Sequence, residues 1–237
     1  MSETGKHQGI FEMETYKKIV YPNFSREVLG KLELKTFLDY GCGDGYMATL
    51  LEKNIEKTLY DINHGGIKED ELKKEKHSYR IIDSLTELKM EKYKNYFDVI
   101  LLSFVLICIQ EEETYSDILK TIKHVKKEDG KLIILDCHPC FMHHRYSYFY
   151  TACSENFEYL SDKDNSFTKI IRGYDKNDPS IKKEVSFRDY HRPLSFTINT
   201  LVECGFKIVK MKEWPDLGFD INKKNELYPP LYHLECE

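Results

Sequence analysis

The residues with the clearest chemical potential lie in one short stretch, DCHPCFMHHR, at positions 136–145. Cys137 and Cys140 have the C-x-x-C spacing that occurs in zinc sites and in redox-active dithiols. His138 and His143 carry imidazoles, which titrate near neutral pH and therefore suit general acid–base catalysis. The stretch alone leaves metal binding, thiol redox chemistry and proton transfer open.

A second pattern is the glycine-rich segment LDYGCGDGY at positions 38–46. It follows an apolar run at 35–41 that predicts a β-strand, and it leads into an amphipathic stretch at 45–54 that predicts a helix. Glycines allow a sharp turn and a close approach of the backbone to a ligand. A dinucleotide-binding turn has the spacing G-x-G-x-x-G, whereas this segment reads G-x-G-x-G with Tyr46 in the last position. The segment therefore predicts a ligand-binding turn of another kind.

The elements that must position these residues alternate along the chain. Further apolar runs predict strands at 57–61, at 79–83, from 96 onward, at 131–137 and at 184–190. Amphipathic stretches predict helices at 66–76, at 114–130 with Gly130 as its end, and at 193–206. This alternation favours an α/β fold, a doubly wound and mostly parallel seven-stranded sheet with helices on both faces. Segments 206–214 and 229–237 are predicted to finish one edge of the sheet as an antiparallel pair.

The alternation stops after the fifth predicted strand. Residues 138–185 are rich in Tyr, Phe, Asp, Asn and Ser and show no clean helical or strand period. An insertion of this length in a compact domain is usually a lid or a binding loop, so we expect it to contribute to substrate binding. The whole chain, 1–237, is predicted to be a single domain.

Composition and charge narrow the function classes. The formal net charge is -5 and the basic residues are scattered, which disfavours a nucleic-acid partner. The longest apolar run, at 99–109, is too short for a bilayer, which needs about 20 residues. The amino terminus lacks the pattern of a secretion signal, and seven unevenly spaced cysteines indicate reduced thiols. We therefore expect a cytoplasmic protein without a membrane partner.

With its elements in this order, the sequence resembles the class I, Rossmann-like S-adenosylmethionine-dependent methyltransferases of the small-molecule type. Asp39, Gly41, Gly43 and Gly45 match the first motif of that family, whose turn wraps the methionine end of the cofactor. The resemblance covers roughly 35–137 and 190–236. It implies S-adenosyl-L-methionine as the cofactor and leaves the insertion unassigned.

The resemblance also implies cofactor contacts where the second, third and fourth strands end. Asp61 matches the acidic residue that accepts both ribose hydroxyls, and it follows Gly43 by 18 residues. The other cofactor-binding residues predicted at these strand ends are Ile62, Asp83, Ser84, Ser103 and Phe104. Asp98 opens the fourth strand at the opposite edge of the sheet, and we interpret it as structural.

The segment 1–34 resembles the lid helices that fold over the cofactor in small-molecule methyltransferases. Tyr16 is predicted to bind the cofactor, because an aromatic face suits a positively charged sulfonium. Tyr21 either does the same or packs against the sheet. The acceptor of such enzymes lies above the fourth and fifth strands, which makes His138 and His143 the predicted catalytic bases.

The predicted function is therefore methyl transfer from S-adenosylmethionine to an oxygen or nitrogen of a small-molecule acceptor. The fourth strand ends in Ser-Phe-Val-Leu at 103–106 rather than in the N/D-P-P-Y/F motif of amino-methylating enzymes that act on adenine or glutamine. A protein or RNA methyltransferase is the alternative within this class. A zinc or redox protein that uses Cys137 and Cys140 is the alternative of another class, although we predict no metal site because adjacent histidines rarely share one ion. The oligomeric state is left open.

Overall fold

The computed structural model describes residues 17, 20–63, 66–74, 78–140, 149–152, 159–160, 166–174, 182–214 and 231–237. The strands in these ranges are β1 Thr36–Tyr40, β2 Glu56–Tyr60, β3 Tyr79–Ile82, β4 Phe97–Ser103, β5 Lys126–Cys137, β6 Phe149–Ala152, β7 Ser166–Tyr174, β8 Lys182–Tyr190, β9 Ile208–Trp214 and β10 Leu231–Cys236. The α-helices are α1 Tyr21–Glu27, α2 Tyr46–Thr49, α3 Glu69–Lys74, α4 Leu85–Leu88, α5 Glu112–Val125 and α6 Leu194–Glu203.

Seven of the strands form one sheet in the order β3-β2-β1-β4-β5-β10-β9. Strands β1 to β5 pair in parallel, and β10 runs antiparallel to both β5 and β9. The predicted fold class is confirmed, including the antiparallel pair at one edge. The strand order reverses between β1 and β4, and in such sheets ligands bind beyond the carboxyl ends of the strands at that reversal.

Both faces of the sheet are covered, which explains why β4 and the second half of β5 are mostly apolar. On one face, Phe24 of α1 packs in a cluster with Phe37 and Leu101. On the other face, Ile118 of α5 and Leu201 of α6 pack over alternate positions of the same strands. The sheet is therefore packed between helices on both faces, and these contacts position the carboxyl ends of its strands.

The helix predicted at 45–54 is shorter than expected, because α2 ends at Thr49. The ammonium group of buried Lys57 donates to the carbonyls of Glu52 (2.6 Å) and Ile55 (3.0 Å). Ser25 donates to the carbonyl of Leu50 at 3.4 Å. These side chains satisfy carbonyl groups that a longer helix would have bonded internally, so the chain can turn early into β2.

The helix predicted at 114–130 is also shorter, and Gly130 has a different role from the one expected. Helix α5 ends at Val125 and β5 starts at the next residue. Lys126 donates to the carbonyls of Lys127 and Gly130, each at 2.8 Å, and so stabilises an irregular segment at the start of β5. A Cβ atom at Gly130 would lie 2.7 Å from the carbonyl oxygen of Phe97. Glycine is therefore needed for the close approach to β4, not to end the helix.

The insertion contains two strands that the sequence pattern did not predict, β6 and β7, whereas β8 matches the strand predicted at 184–190. Strands β6, β7 and β8 form a separate antiparallel sheet in that order. Phe167 of β7 is buried in the same apolar cluster as Cys137 at the end of β5. The insertion thus packs on the carboxyl edge of the main sheet, and the organisation of 1–237 as one domain stays a prediction. Within the described ranges, no helix combines the length and the apolar character needed to cross a membrane.

Candidate active site

The glycine turn between β1 and α2 has the conformation that only glycine adopts easily. Gly41, Gly43 and Gly45 have φ angles of 78°, 57° and 82°. The backbone N–H groups of Gly41 and Cys42 both donate to the carbonyl of Tyr60, at 2.7 and 3.0 Å. The turn is therefore tied to the end of β2.

The turn has a packed side and an open side. A Cβ atom at Gly41 would lie 2.4 Å from Cγ2 of Val105, so this part of the turn packs against the residues that follow β4. A Cβ atom at Gly43 would meet no atom within 4 Å. The backbone at Gly43 therefore faces open space that a ligand can fill.

Asp61, at the end of β2, is oriented by two backbone groups. Its Oδ2 accepts a hydrogen bond from Gly43 N–H and its Oδ1 accepts one from Asn63 N–H, both at 2.8 Å. Each carboxylate oxygen has a second lone pair, so the group is fixed in place and can still accept hydroxyl donors. Ile62, next to it, is 90% exposed, which leaves an apolar surface beside the carboxylate.

Asp39 and Ser103 present unsatisfied polar atoms on the same face of two neighbouring strands. Asp39 pairs in register with Leu101, and Ser103 lies two residues further along β4. Asp39 is 2% exposed, and within the described structure neither its Oδ2 nor the Oγ of Ser103 has a hydrogen-bond partner. Burial, followed by the charges of Asp61 and Asp44, raises the pKa of Asp39 to about 7. A buried acceptor without a donor is costly, and a cationic donor such as an ammonium group would compensate it.

These features fit S-adenosylmethionine. The carboxylate of Asp39 suits the ammonium of its methionine part, the open backbone at Gly43 suits a close approach, and Asp61 suits the ribose hydroxyls. The exposed side chain of Ile62 suits an apolar ring. The residue roles themselves stay predictions.

An aromatic group stands beside the turn on the side of α1. The ring of half-buried Tyr21 lies 6.3 Å from that of Tyr46 and 6.3 Å from that of Phe104. Phe104 has a φ angle of 56°, which is strained for a residue with a side chain, and its N–H donates to the carbonyl of Leu135 at 2.8 Å. The strain fixes the ring direction at the exit of β4. Tyr16 lies outside the described residues.

The segment before α1 is also tied to the glycine turn. Lys17 forms an ion pair with Asp44, and its ammonium lies 4.8 Å from the ring centroid of Tyr46. Tyr46 Oη donates in turn to the carbonyl of Lys17 at 3.0 Å. The sequence analysis did not predict this ion pair, although Asp44, an acidic residue inside the glycine segment, was an available signal.

Asp83 and Ser84 are both exposed at the end of β3. Ser84 Oγ accepts a hydrogen bond from Glu87 N–H at 3.1 Å and caps α4, while the side chain of Glu87 accepts one from Asp83 N–H at 3.2 Å. The local structure therefore explains the serine by capping. Contact of either residue with the adenine ring stays a prediction.

Asp98 lies at the other edge of the sheet, as expected. Its Oδ2 accepts hydrogen bonds from the N–H groups of Lys35 and Thr36, each at 2.8 Å. Burial opposes ionisation, but the hydrogen bonds from Lys127 and these backbone groups outweigh it and lower the pKa of Asp98 to about 2. The residue joins β1 to β4 and contacts no candidate site residue.

A cleft lies beyond the carboxyl ends of β4 and β5, and its lining residue Leu106 follows Val105, which packs against Gly41 of the glycine turn. It is lined from β4 and β5 by Leu106, Ile107, Asp136 and Cys137, and from above by Phe167 of the insertion. Further lining comes from other parts of the chain and comprises Tyr115, Pro139, Tyr190, His191, Arg192, Thr197 and Tyr232. Sequence reasoning did not identify Asp136 and Arg192 as lining residues. The available signals were that Asp136 is a charged residue at a strand end and that Arg192 is a charged residue immediately before Pro193 and α6.

His138 lies beside this cleft and does not line it. Its Nδ1 accepts a hydrogen bond from Cys140 N–H at 3.2 Å. Its Nε2 lies 2.9 Å from Glu213 Oε1, but out of line for a good hydrogen bond, so the contact is mainly electrostatic. Burial lowers the pKa of His138, and Glu213 opposes this only in part. The imidazole is therefore neutral at pH 7, and its ring packs edge-on against Tyr232, which does line the cleft.

The cysteines of the C-x-x-C pair form no disulfide with each other, and their surroundings differ. Cys137 is buried in the apolar cluster beneath the cleft, and Cys140 is half-buried. Burial, followed by the charge of Glu213, raises the pKa of Cys140, which disfavours the thiolate that redox chemistry or metal binding needs. In the part of the chain with described coordinates, no group of three or more metal-ligating side chains comes together. His143 lies outside that part.

Comparison with known proteins agrees with this geometry. A methyltransferase domain family matches residues 31–193, more than half of the chain. No curated protein sequence matches.

Solved structures share the fold at low sequence identity. An S-adenosylmethionine-dependent methyltransferase from Clostridium acetobutylicum is 16% identical, with a TM-score of 0.65 over 94% of this chain and 91% of that one. The glycopeptide N-methyltransferase MtfA, solved with S-adenosylmethionine, is 11% identical, with a TM-score of 0.62 over 91% and 86%. The 1,6-didemethyltoxoflavin N1-methyltransferase of Burkholderia thailandensis is 14% identical, with a TM-score of 0.54 over 92% and 76%.

The family match, the strand order and the unsatisfied polar groups around the glycine turn lead to one conclusion. The chain belongs to the methyltransferase domain family of class I fold, and its cofactor is S-adenosyl-L-methionine.

Proposed function

We propose that the protein transfers a methyl group to an oxygen or nitrogen of a small-molecule acceptor. The observation that carries this proposal is the cleft at the carboxyl ends of β4 and β5, which is lined by apolar side chains and covered by Phe167 of the insertion. Clefts of this kind, mostly apolar with a few polar groups, are typical of small-molecule sites. A folded macromolecule would have to displace the insertion to reach the same strand ends.

When bound, S-adenosylmethionine supplies an electrophilic methyl group on a positively charged sulfur. The tasks of the chain are to bind, to orient and to exclude water. Asp39 would pair with the ammonium group and Asp61 would hold the ribose hydroxyls. The apolar lining by Leu106, Ile107 and Phe167 would exclude water from the acceptor.

An acceptor that must lose a proton needs a base, and we propose His138 for this task. It is neutral at pH 7, as a base must be, and its neighbours Cys137 and Pro139 line the cleft. To act, its Nδ1 must exchange the hydrogen bond from Cys140 for the acceptor's proton. His143 is retained as a second candidate from the sequence alone.

Two relatives in fold support a small acceptor, since their names describe methylation of a glycopeptide and of a toxoflavin precursor at nitrogen. The formal net charge of -5 supports the absence of a nucleic-acid partner. A cytoplasmic location without a membrane partner completes the proposal.

The test is methyl transfer from labelled S-adenosylmethionine to a cell extract separated by size. We expect the label in the low-molecular-mass fraction, because Phe167 of the insertion covers the cleft and restricts access to the strand ends. Label recovered only in protein or RNA would refute a small acceptor. Absence of cofactor binding in calorimetry would contradict the assignment of the site residues.

A further inference from the structure

We propose that the cleft recognises an acceptor carrying a carboxylate group, which is bound by Arg192. This inference rests on the proposed function and specifies its substrate class. Arg192 follows β8, immediately before Pro193 and α6, and lines the cleft at 7% exposure.

The guanidinium of Arg192 is held in one orientation. Its Nη1 donates to the carbonyl of Ile109 at 2.6 Å and its Nη2 donates to the carbonyl of Gln110 at 2.8 Å. The rings of Tyr115 and Phe196 lie 5.1 and 5.2 Å from its central carbon. A guanidinium fixed in this way loses little further entropy when it binds an anion.

The charge of Arg192 is not neutralised by the protein around it. Within the described ranges it forms no ion pair and its Nε has no hydrogen-bond partner, and burial lowers its pKa although the charges of Glu112 and Glu111 oppose this. Two backbone carbonyls bind two of the five N–H donors. A buried cation without an anion is costly, and a carboxylate would satisfy it.

The rest of the lining defines how such an acceptor would lie. Asp136 marks the end nearest the strands, where its carboxylate accepts hydrogen bonds from the N–H groups of Ile107 (3.2 Å) and Cys137 (2.7 Å). The lining also includes the apolar side chains of Leu106, Ile107 and Phe167 and the hydroxyl of Tyr115, which donates to Thr197 at 3.1 Å. A carboxylate bound at Arg192 would leave the rest of the acceptor among these side chains, in the cleft at the strand ends.

Arg192 lies between aromatic rings, and no lysine or second arginine is among the described residues that line the cleft, which suits a carboxylate better than a phosphate. The competing explanation is that Arg192 only joins the end of β8 to the turn at 109–110. That role requires the two carbonyl bonds and predicts no dependence of ligand binding on ligand charge.

The experiment compares matched acids and primary amides on the full chain saturated with S-adenosylhomocysteine. The probes are benzoate, phenylacetate and 3-phenylpropanoate, each beside its amide, with binding measured by ligand-observed NMR. We expect at least one acid to bind at least tenfold more tightly than its amide. Arg192→Gln should reduce that ratio to below about twofold, whereas Arg192→Lys should keep part of it. Arg188→Gln is the matched control, because Arg188 lies on β8, is exposed and donates only to Ser166 in the described structure.

Equal binding of acids and amides by the natural protein would overturn the inference without any variant, as would failure of every acid to bind at millimolar concentration. An acid-to-amide ratio unchanged by Arg192→Gln would do the same, and tighter binding of phenyl phosphate than of all three acids would refute the carboxylate class. Efficient methylation of an uncharged acceptor would refute the inference and leave the proposed function intact. Carboxylate binding without methyl transfer to any small molecule would refute the proposed function alone.

Discussion

The carboxylate of Asp61 holds the backbone of Gly43 by a 2.8 Å hydrogen bond. The residue at the end of β2 therefore fixes the turn that follows β1. Its second oxygen is oriented by Asn63, so the carboxylate keeps its direction before any ligand arrives. One side chain thus shapes the glycine turn, and the same side chain is the predicted acceptor for the ribose hydroxyls of the cofactor.

Replacement of Asp61 by alanine should weaken binding of S-adenosylmethionine at least tenfold, about 1.4 kcal/mol, because the hydroxyls lose their acceptor and the turn loses its support. Isothermal titration calorimetry measures this directly. Asp61→Asn is the control, since its amide oxygen can still accept from Gly43 but its NH₂ group cannot accept a hydroxyl. An affinity in Asp61→Ala equal to that of the natural protein would show that the carboxylate does not contact the cofactor.

Gly43→Ala should reduce cofactor affinity at least tenfold with only a modest loss of stability. The substitution costs about 1–2 kcal/mol because of the left-handed backbone, but the new methyl group would meet no protein atom within 4 Å. The methyl group would instead occupy space assigned to the cofactor. Calorimetry and thermal unfolding separate the two effects.

Gly205→Ala is the matched control for this substitution. Its φ angle of 81° imposes the same backbone cost, and only Lys123 lies near the position of the new methyl group. This variant should lose similar stability and bind the cofactor normally. If both variants bound S-adenosylmethionine equally well, the open side of the turn at Gly43 would not be part of the cofactor site.

The sequence was sufficient to predict the main sheet and where its strands end; the cofactor-binding residues stay a prediction. Strands buried on both faces appear as apolar runs, and Asp39, Asp61 and Ser103 follow from their positions at strand ends. The hydrogen bonds between these strand ends could not be predicted from the sequence. A bond such as that from Gly43 N–H to Asp61 depends on which strands become neighbours.

The errors have the same origin. Lys57 and Lys126 shorten the expected helices by donating to nearby carbonyls, and a lysine in a sequence pattern normally indicates solvent exposure. Arg192 appeared to be an ordinary residue before a helix. Its burial and its contacts with Tyr115 result from the packing of α5, α6 and β8, which no local pattern records.

Asp39→Asn should stabilise the cofactor-free protein at pH 8 and have little effect near pH 4. The folded-state pKa of Asp39 is raised to about 7 by burial and by the nearby carboxylates, above the ordinary unfolded value of about 4. The contribution of the protonated Asp39 carboxyl to the free energy of unfolding is therefore fully present below pH 4. It is lost as the pH rises towards 7. Thermal unfolding of both proteins across this range should show a difference that grows with pH.

Asp39→Asn should also weaken the binding of S-adenosylmethionine, because a neutral amide cannot balance the positive charge of the ammonium group of the cofactor. In the natural protein the affinity should fall as the pH is lowered from 8 to 6, since the carboxylate becomes protonated, whereas Asp39→Asn should show a flat dependence. Tight, pH-independent binding by Asp39→Asn would remove the residue from the cofactor site.

His138→Asn should slow turnover at least tenfold and leave cofactor affinity unchanged, because the variant lacks the imidazole that is proposed to remove a proton from the methyl acceptor. General bases typically contribute about 10²–10⁴-fold to the rate. The amide oxygen of asparagine can replace Nδ1 as acceptor for Cys140, so this variant preserves the local turn better than alanine. In the natural enzyme, activity should persist below pH 6.5, because burial lowers the pKa of His138. Glu213→Gln should move the acidic limb of the kcat/KM profile to still lower pH, because it removes the charge that favours the imidazolium. Unchanged turnover of His138→Asn at saturating acceptor would show that His138 only shapes the end of β5.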